Sequence, residues 1–252
     1  YQGCTVQAML AGFHSNAITI TQRNFINQPD LGTLTLSRER EREGMGTAVS
    51  RTTDSAPANA IKSFNKARAD WMEKKPDRAQ EDLKKALKAD PQFAEAWYQL
   101  GNLQESSDRQ EARDSYTKAL AADPKFVRPY ERLAALSAQD GKWKDVVANT
   151  SHVLQLDPVG TPQIWYFDAM GDFQLGKVDA AENSANKSLA MDPKHTIPNT
   201  EQLLAVILAQ KKDYAGALAH LRNCLTYMPS GPNADLVKQQ IAQVEQRVTA
   251  SK

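Results

Sequence analysis

Histidine and cysteine are the residue types in this chain that most readily support catalysis or bind a metal. The chain has four histidines and two cysteines, which are His14, His152, His195, His220, Cys4 and Cys224. No histidine has a partner at the spacing of a metal site or a catalytic triad. Metalloprotease, serine-hydrolase, phosphate-loop and dinucleotide-binding motifs are also missing from the sequence. The sequence therefore predicts a non-enzymatic protein with no cofactor and no metal site.

The charge and the hydropathy of the chain argue against two further classes of partner. The 31 basic and 30 acidic side chains nearly cancel, so we expect no nucleic-acid surface. No apolar run approaches the roughly 18 residues that a membrane helix needs, so we expect no membrane span. The chain begins with Tyr1 and lacks the charged and apolar regions of a signal peptide, which favours a mature or trimmed chain.

The most regular stretch of the sequence covers residues 94–125 and reads AEAWYQLGNLQESSDRQEARDSYTKALAADPK. It has a large residue at its fourth position (Trp97), a small residue at its eighth (Gly101) and Pro124 close to its end. The small residue lets two helices pack closely, and the proline ends one helical unit. This pattern resembles the tetratricopeptide repeat (TPR), a helix–turn–helix unit of about 34 residues. The resemblance implies a mainly α fold, a TPR α-solenoid that binds proteins.

Five repeats align in this register and a capping helix follows them. The repeats are predicted over 60–93, 94–126, 127–160, 162–195 and 198–231, and the capping helix over 232–250. Asn59 and Asn233 each precede a helical pattern, so we expect both to be N-caps. Asp168 stands in the fourth repeat where leucine is usual. Because solenoid repeats stack on their neighbours, the polar outer face of the last helix suits the end of such an array.

The two cysteines lie in regions of different character, and we expect no disulfide between them. Cys224 occupies the small-residue position that Ala86 and Ala119 occupy in other repeats. We therefore expect Cys224 to be a packed, inert thiol. Cys4 lies on the inward face of a predicted strand, where it either belongs to a core or pairs with a cysteine upstream of the present chain.

TPR proteins usually bind their partners in a concave groove lined by the first helix of each repeat. The resemblance implies that this groove is lined by Phe64, Arg68, Trp71, Tyr98, Asn102, Glu105, Arg128, Glu131, Tyr166, Met170, Phe173, Asn199, Gln202 and Val206. The aromatic and Met side chains in this set either anchor a bound peptide or pack against neighbouring helices as core. Arg128 stands nearly alone among acidic and neutral neighbours, so we do not expect capture of an acidic peptide tail.

Residues 1–37 alternate between apolar and polar side chains, which predicts strands over 4–10, 17–21 and 31–36. The residues that carry the pattern are Cys4, Val6, Ala8, Leu10, Gly12, Phe13, Ser15, Ile18, Ile20, Asp30, Gly32, Thr33, Leu34 and Leu36. The pattern resembles the closing strands of a carboxypeptidase-regulatory-like, transthyretin-type β-sandwich. Such a sandwich needs about seven strands, so the resemblance implies that the front of the domain is absent from this chain.

Incomplete sheets leave unpaired edges that a neighbouring chain can cover by adding a strand. The side chains predicted to make these inter-chain contacts are Val6, Ala8, Leu10, Ile18, Ile20, Leu34 and Leu36. Residues 38–59 read as a linker, with alternating Arg and Glu over 38–43, and residues 47–50 are compatible with one short additional strand.

Three functions are compatible with this organisation. We favour a protein–protein interaction scaffold in which the TPR array carries the protein and the β segment makes contacts between chains. The alternative is a structural subunit of a self-assembling extracellular filament or homo-oligomer, built by strand addition between neighbours. The third, an enzyme with a repeat appendage, has only the missing front part to support it. The pairing of a regulatory-like sandwich with TPRs resembles bacterial envelope proteins, which implies an extracytoplasmic location in the periplasm, at the cell surface or outside the cell.

Overall fold

Paired antiparallel helices make up nearly all of the chain that the computed structural model describes, which is residue 50, residues 52–250 and a few short strands. The helices are α1 (Thr52–Ser55), α2 (Ala58–Met72), α3 (Pro76–Ala89), α4 (Ala94–Gln104), α5 (Arg109–Ala122), α6 (Val127–Gln139), α7 (Trp143–Leu156), α8 (Pro162–Gln174), α9 (Val178–Met191), α10 (Asn199–Gln210), α11 (Tyr214–Tyr227) and α12 (Pro232–Ala250). The predicted mainly α solenoid is confirmed. None of the described helices is both long and apolar enough to cross a membrane.

The pairs α2–α3, α4–α5, α6–α7, α8–α9 and α10–α11 stack in chain order, and α12 packs on α11. In addition, α6 contacts α8 and α8 contacts α10. Among the described helices, the second helices of successive pairs contact one another less than α6 contacts α8 or α8 contacts α10. At these two steps the first helices therefore lie closer together than the second helices do. We call the side of the first helices the groove face.

A large aromatic residue ties the first helix of several pairs to the loop before it. The indole nitrogen of Trp97 donates a 2.9 Å hydrogen bond to the carbonyl of Pro91, and that of Trp165 donates a 2.8 Å bond to the carbonyl of Val159. A lysine from the second helix covers each ring, with its Nζ 4.6 Å from the Trp97 ring centroid and 4.1 Å from that of Trp165. The fourth position of the pattern therefore stabilises both the turn and the pair.

Close approach of α4 and α5 depends on Gly101. A Cβ atom at this position would lie 2.6 Å from the Tyr116 ring, which is fully buried. A side chain at Gly101 would therefore force the two helices apart.

Asp168 replaces the usual leucine without leaving an unsatisfied charge. It is 8% exposed, and its carboxylate accepts hydrogen bonds from the hydroxyls of Thr150 at 2.6 Å and Ser184 at 2.8 Å. These donors come from α7 and α9, so one polar group joins three helices. Buried carboxylates persist when hydrogen bonds compensate for lost hydration, as they do here.

The two predicted asparagine caps are wrong, because a proline begins or precedes each helix. Helix α2 begins at Ala58 after Pro57, and α12 begins at Pro232. Asn59 and Asn233 therefore lie inside the first turns. Proline suits the start of a helix since the first turn needs no intrahelical N–H partner there.

Residues assigned to the linker from sequence dock onto the second helix pair. The hydroxyl of Ser50 donates a 2.7 Å hydrogen bond to Asp123, and the backbone N–H of Ala94 donates a 3.0 Å bond to the Thr52 hydroxyl. Thr52 thus caps α4 from outside, since α4 has no side-chain cap of its own. We call residues 50–55 the strap.

Short strands are described before the helices: β1 (Cys4–Val6), β2 (Met9–Leu10), β3 (Phe13–Ser15), β4 (Ile18–Ile20) and β5 (Leu36–Arg38). β1 pairs antiparallel with β4, and β3 pairs antiparallel with both β2 and β5. The strand predicted over 4–10 is thus divided between two sheets, and residues 31–35 and 47–49 lie outside the described residues. The transthyretin-type sandwich stays a prediction.

Candidate functional site

Thirteen of the fourteen residues predicted for the groove lie on the first helices of the pairs, and Glu105 directly follows α4. Phe64 is 5% exposed, and its ring centroid lies 4.9 Å from that of Phe93. Tyr98 is buried between Tyr116 and Phe126, with ring centroids 5.8 and 5.3 Å away. For Phe64 and Tyr98 the structure therefore supports the core alternative, since neither presents a surface to a partner.

An ion pair joins α4 to α6 on the groove face. Arg128 pairs with Glu95, and the Arg128 guanidinium carbon lies 4.6 Å from the Tyr98 ring centroid. Glu95 is only 6% exposed. Burial raises the pKa of the Glu95 carboxyl, and Arg128 opposes this by favouring the charged form. The charge of Arg128 is therefore used within the protein.

A second polar cluster lies one turn further along the same helices. The Arg132 Nε donates to Glu105 at 2.6 Å, and the Tyr116 hydroxyl lies 2.5 Å from Glu105 and 2.7 Å from the Asn102 oxygen. Burial, together with the Glu105 carboxylate, raises the pKa of Tyr116. Four of these groove-face side chains are charged, and they pair with one another. We call the set the charged half of the groove face: Glu95, Asn102, Glu105, Arg128 and Arg132.

Three other candidates lie near this charged half. Arg68 and Trp71 are exposed on α2, with Trp71 at 56% exposure, and Glu131 is half-buried on α6.

The groove face of α8 and α10 has a different character. Its predicted residues, all half-buried, are Tyr166, Met170, Phe173, Asn199, Gln202 and Val206, and we call them the uncharged half. The Gln202 amide donates a 2.9 Å hydrogen bond to Gln240 of α12. Burial raises the pKa of Tyr166, and the Asn199 side chain opposes this rise. Each amide keeps further donors or acceptors, since one such group can form up to four hydrogen bonds.

A cavity of about 400 Å³ adjoins the uncharged half, between α10 and α12. Val206, Ala209, Leu221 and Val244 give it apolar walls, and Gln240 and Arg247 lie among its polar lining. Apolar walls with a few polar groups are typical of a pocket that takes an apolar side chain and orients it.

Two of the four histidines, His195 and His220, lie beside a buried carboxylate at the fifth pair. The carboxylate of Glu201, 1% exposed, lies 2.5 Å from Nδ1 of His220 and 3.3 Å from Nδ1 of His195. In the predicted alignment Glu201 takes the place of Trp97 and Trp165. Within residues 52–250 no group of three His, Cys, Asp or Glu side chains could hold a metal.

Cys224 is buried and free, and burial raises the pKa of its thiol. A packed thiol at this small-residue position is what the sequence predicts.

Three residues of the groove face were missed by sequence reasoning. Glu95 lies three residues before Tyr98, and Arg132 lies four residues after Arg128. Helical spacing of three and four could have found both. Gln240 lies on the capping helix, which has no position in the repeat pattern.

The predicted inter-chain strand residues are only partly within the described chain. Val6, Leu10, Ile18, Ile20 and Leu36 lie in strands, and Val6 pairs with Ile18 across β1 and β4. Ala8 and Leu34 lie outside the described residues. Their contacts with a second chain stay a prediction.

Comparison with known proteins supports the repeat fold. Residues 64–125 match the family model of the tetratricopeptide repeat. No curated protein matches the chain. The fold of the helical part is a TPR α-solenoid.

Three solved structures illustrate the likeness. MamA from Desulfovibrio magneticus RS-1 has a TM-score of 0.61 at 18% identity, over 70% of this chain and 99% of that chain. YrrB, described as a TPR protein with an unusual peptide-binding site, has a TM-score of 0.63 at 22% identity, over 76% and 99%. PilW, described as a type IV pilus biogenesis factor, has a TM-score of 0.61 at 18% identity, over 77% and 90%. At these identities the likeness shows the fold alone.

Proposed function

We propose that this chain is a non-enzymatic protein–protein interaction scaffold that holds its partner on the uncharged half of the groove face. The observation that carries the proposal is the half-buried set Tyr166, Met170 and Phe173 beside amides that keep spare hydrogen-bonding capacity. Aromatic and Met side chains supply much of the binding energy at protein interfaces. The adjoining cavity of about 400 Å³ offers room for one apolar side chain of the partner.

The charged half is less suited to binding. Its carboxylates, guanidinium groups and the Tyr116 hydroxyl are already paired with one another. A partner would have to break these pairs before it could form its own, and the cost would offset the gain. The peptide-binding site named for YrrB, a protein of the same fold, is consistent with a ligand site on such an array.

The proposed scaffold works outside the cytoplasm, in the envelope or at the exterior of a bacterium, with its β segment making contacts between chains. The resemblance of that segment to a regulatory-like sandwich supports this location, and so does the fold shared with PilW, a pilus biogenesis factor.

A second candidate function is a structural subunit of a self-assembling extracellular filament. The observation that favours it is the size of the described sheets, which have two and three strands. Each described sheet thus has outer strands to which a neighbouring chain can add.

The scaffold function is tested by photo-crosslinking from Phe173 in cells of the source organism, followed by binding measurements with the purified partner. We expect Tyr166→Ala and Met170→Ala each to weaken binding by about 1–2 kcal/mol. The control is Met72→Ala, a change at a 77% exposed side chain outside the predicted groove, which should leave both binding and the melting temperature unchanged. Equal weakening by all three variants, or by none, would contradict the proposal.

A further inference from the structure

The uncharged half of the groove face presents almost no charge to a ligand. The acidic side chains of α8 and α10 are buried and paired: Asp168 with two hydroxyls, Asp172 with Lys177 at 2.9 Å, and Glu201 with His220. Arg247 is the charged residue that lines the adjoining cavity. A ligand bearing Lys, Arg, Asp or Glu would lose hydration on this surface with little compensation. The surface therefore selects an uncharged segment.

The chain itself contains such a segment. Residues 1–22 have no Asp, Glu, Lys or Arg, and this is the longest run of its kind in the sequence. The run also contains apolar side chains large enough to enter the cavity, among them Leu10, Phe13 and Ile18. We propose that the uncharged half receives residues 1–22 of a second copy of this chain. This inference rests on the proposed function, in which the β segment makes contacts between chains.

The strap fixes the point from which the donor segment extends. Ser50 and Thr52 hold the chain at the second helix pair, on Asp123 and Ala94. Residues 39–49 then separate the strap from β5, which pairs with β3 of the donor segment, and when extended they span at most about 40 Å. This reach is sufficient for a neighbouring molecule. In the described residues the extensive contacts of the strands are with one another, not with α8 or α10.

The contact is head-to-tail, because donor and acceptor are different surfaces of the chain. Each copy that donates its segment still has its own uncharged half free to receive another. Such a heterologous contact propagates into a ring or an open polymer. The uncharged half is thus the acceptor surface for contacts between chains.

The test uses the full chain and measures its mass by light scattering over a wide range of concentration. We expect the mass to grow with concentration. Val206→Lys, which places an ammonium group at the cavity, should weaken self-association at least about tenfold. The matched variant Val206→Gln introduces a polar but uncharged side chain, like those of neighbouring Gln202 and Gln240. It should therefore retain assembly. Met72→Lys, a new charge at a side chain of the first pair that is 77% exposed, should also retain it.

A labelled peptide of residues 1–22 gives a second readout. It should bind the wild-type chain, compete with assembly when in excess, and fail to bind the Val206→Lys variant. If that variant does not fold, Gln202→Lys on the half-exposed surface provides the same comparison.

Three outcomes would overturn the inference. A chain that is monomeric at every concentration rules out docking between copies, even if the uncharged half binds another protein and the scaffold function stands. Assembly that Val206→Lys leaves unchanged rules out this acceptor surface, while contacts through the β segment stand. A peptide that does not bind the wild-type chain rules out the donor segment.

Discussion

The two halves of the groove face are built from equivalent helices but treat their polar groups differently. In the charged half Glu95, Glu105, Arg128 and Arg132 pair across α4 and α6, so each charge has its partner inside the protein. In the uncharged half the polar groups are mainly amides, which keep hydrogen-bonding capacity beside half-buried apolar side chains. The polar groups of the charged half thus hold neighbouring helices together, whereas those of the uncharged half can still bind a ligand.

This difference has an energetic reason. A buried charge is stabilised only while its partner is present, so a paired network ties neighbouring helices together and resists exchange. Neutral amides lose less on partial burial and can exchange partners at little cost. We therefore expect substitutions in the charged half to act on stability, and those in the uncharged half to act on binding.

The largest effect is expected from Glu95→Ala. This change leaves Arg128 with its side chain only 13% exposed and without Glu95, so the free energy of unfolding should fall by about 3 kcal/mol. The matched change Gln202→Ala in the uncharged half should cost less than about 1 kcal/mol, because it removes one neutral hydrogen bond. Urea unfolding measures both.

A charge-free double variant separates the ion pair from the rest of the site. Replacing both Glu95 and Arg128 with Met removes the charges together and should recover most of the lost stability. Equal losses for Glu95→Ala and Gln202→Ala would remove the energetic distinction between the halves.

The next effect concerns close packing. A Cβ atom at Gly101 would lie 2.6 Å from the Tyr116 ring, which is held in place by Asn102 and Glu105. We expect Gly101→Ala to cost about 2 kcal/mol, because the ring cannot move without breaking those contacts. Gly171→Ala on α8 would place Cβ 2.8 Å from a methyl group of Val147, which is half-buried and can shift. Thermal unfolding should show the smaller loss for Gly171→Ala, and the reverse order would contradict this account.

The array could be predicted from sequence because its signals are local. Trp97, Gly101 and Pro124 act within their own helix pair, so their spacing carries the information. Phe64 and Tyr98 could not be assigned to core or groove in this way. Their burial depends on Phe93 and Phe126, which lie in the loops before the next helix pairs.

The division of the groove face into a charged and an uncharged half could not be predicted from the sequence pattern either. The pairing of Glu95 with Arg128 joins residues 33 positions apart, and periodicity does not say which charges meet. Asp168 shows the same limit, since its acceptability depends on hydroxyls that α7 and α9 bring to it. Helical periodicity reports which face a residue takes, and only the stacking of pairs decides what it meets there.

A smaller effect is expected at the strap, which adjoins only the charged half. Thr52→Val removes the acceptor for the Ala94 N–H and uncaps α4, so stability should fall by about 1 kcal/mol. Hydrogen exchange at the Ala94 amide should accelerate in this variant. Ser55→Ala is the control, because the exposed Ser55 hydroxyl reaches only the Thr52 carbonyl, and it should leave the exchange rate unchanged. Unchanged exchange in Thr52→Val would mean that the strap does not cap α4.

The smallest effect distinguishes the halves by their tyrosines at alkaline pH. Burial raises the pKa of both Tyr116 and Tyr166, but the Glu105 carboxylate raises that of Tyr116 further, whereas Asn199 opposes the rise at Tyr166. A raised pKa means that the folded chain holds the phenolic proton more tightly than the unfolded chain. Each tyrosine therefore contributes stability that is present below the ordinary value of about 10 and declines above it, by at most about 1.4 kcal/mol per pH unit.

Phenolate absorbance during an alkaline titration should accordingly show Tyr166 ionising before Tyr116. Tyr166→Phe should remove the earlier of these two steps, and Tyr116→Phe the later one together with part of the alkaline loss of stability. The difference in pKa arises because the Glu105 carboxylate acts on the Tyr116 hydroxyl, whereas the Asn199 amide acts on that of Tyr166. The two tyrosines thus show the same contrast between charged and neutral neighbours as the two halves do. If the two tyrosines ionise together, the charged half does not hold its protons differently from the uncharged half.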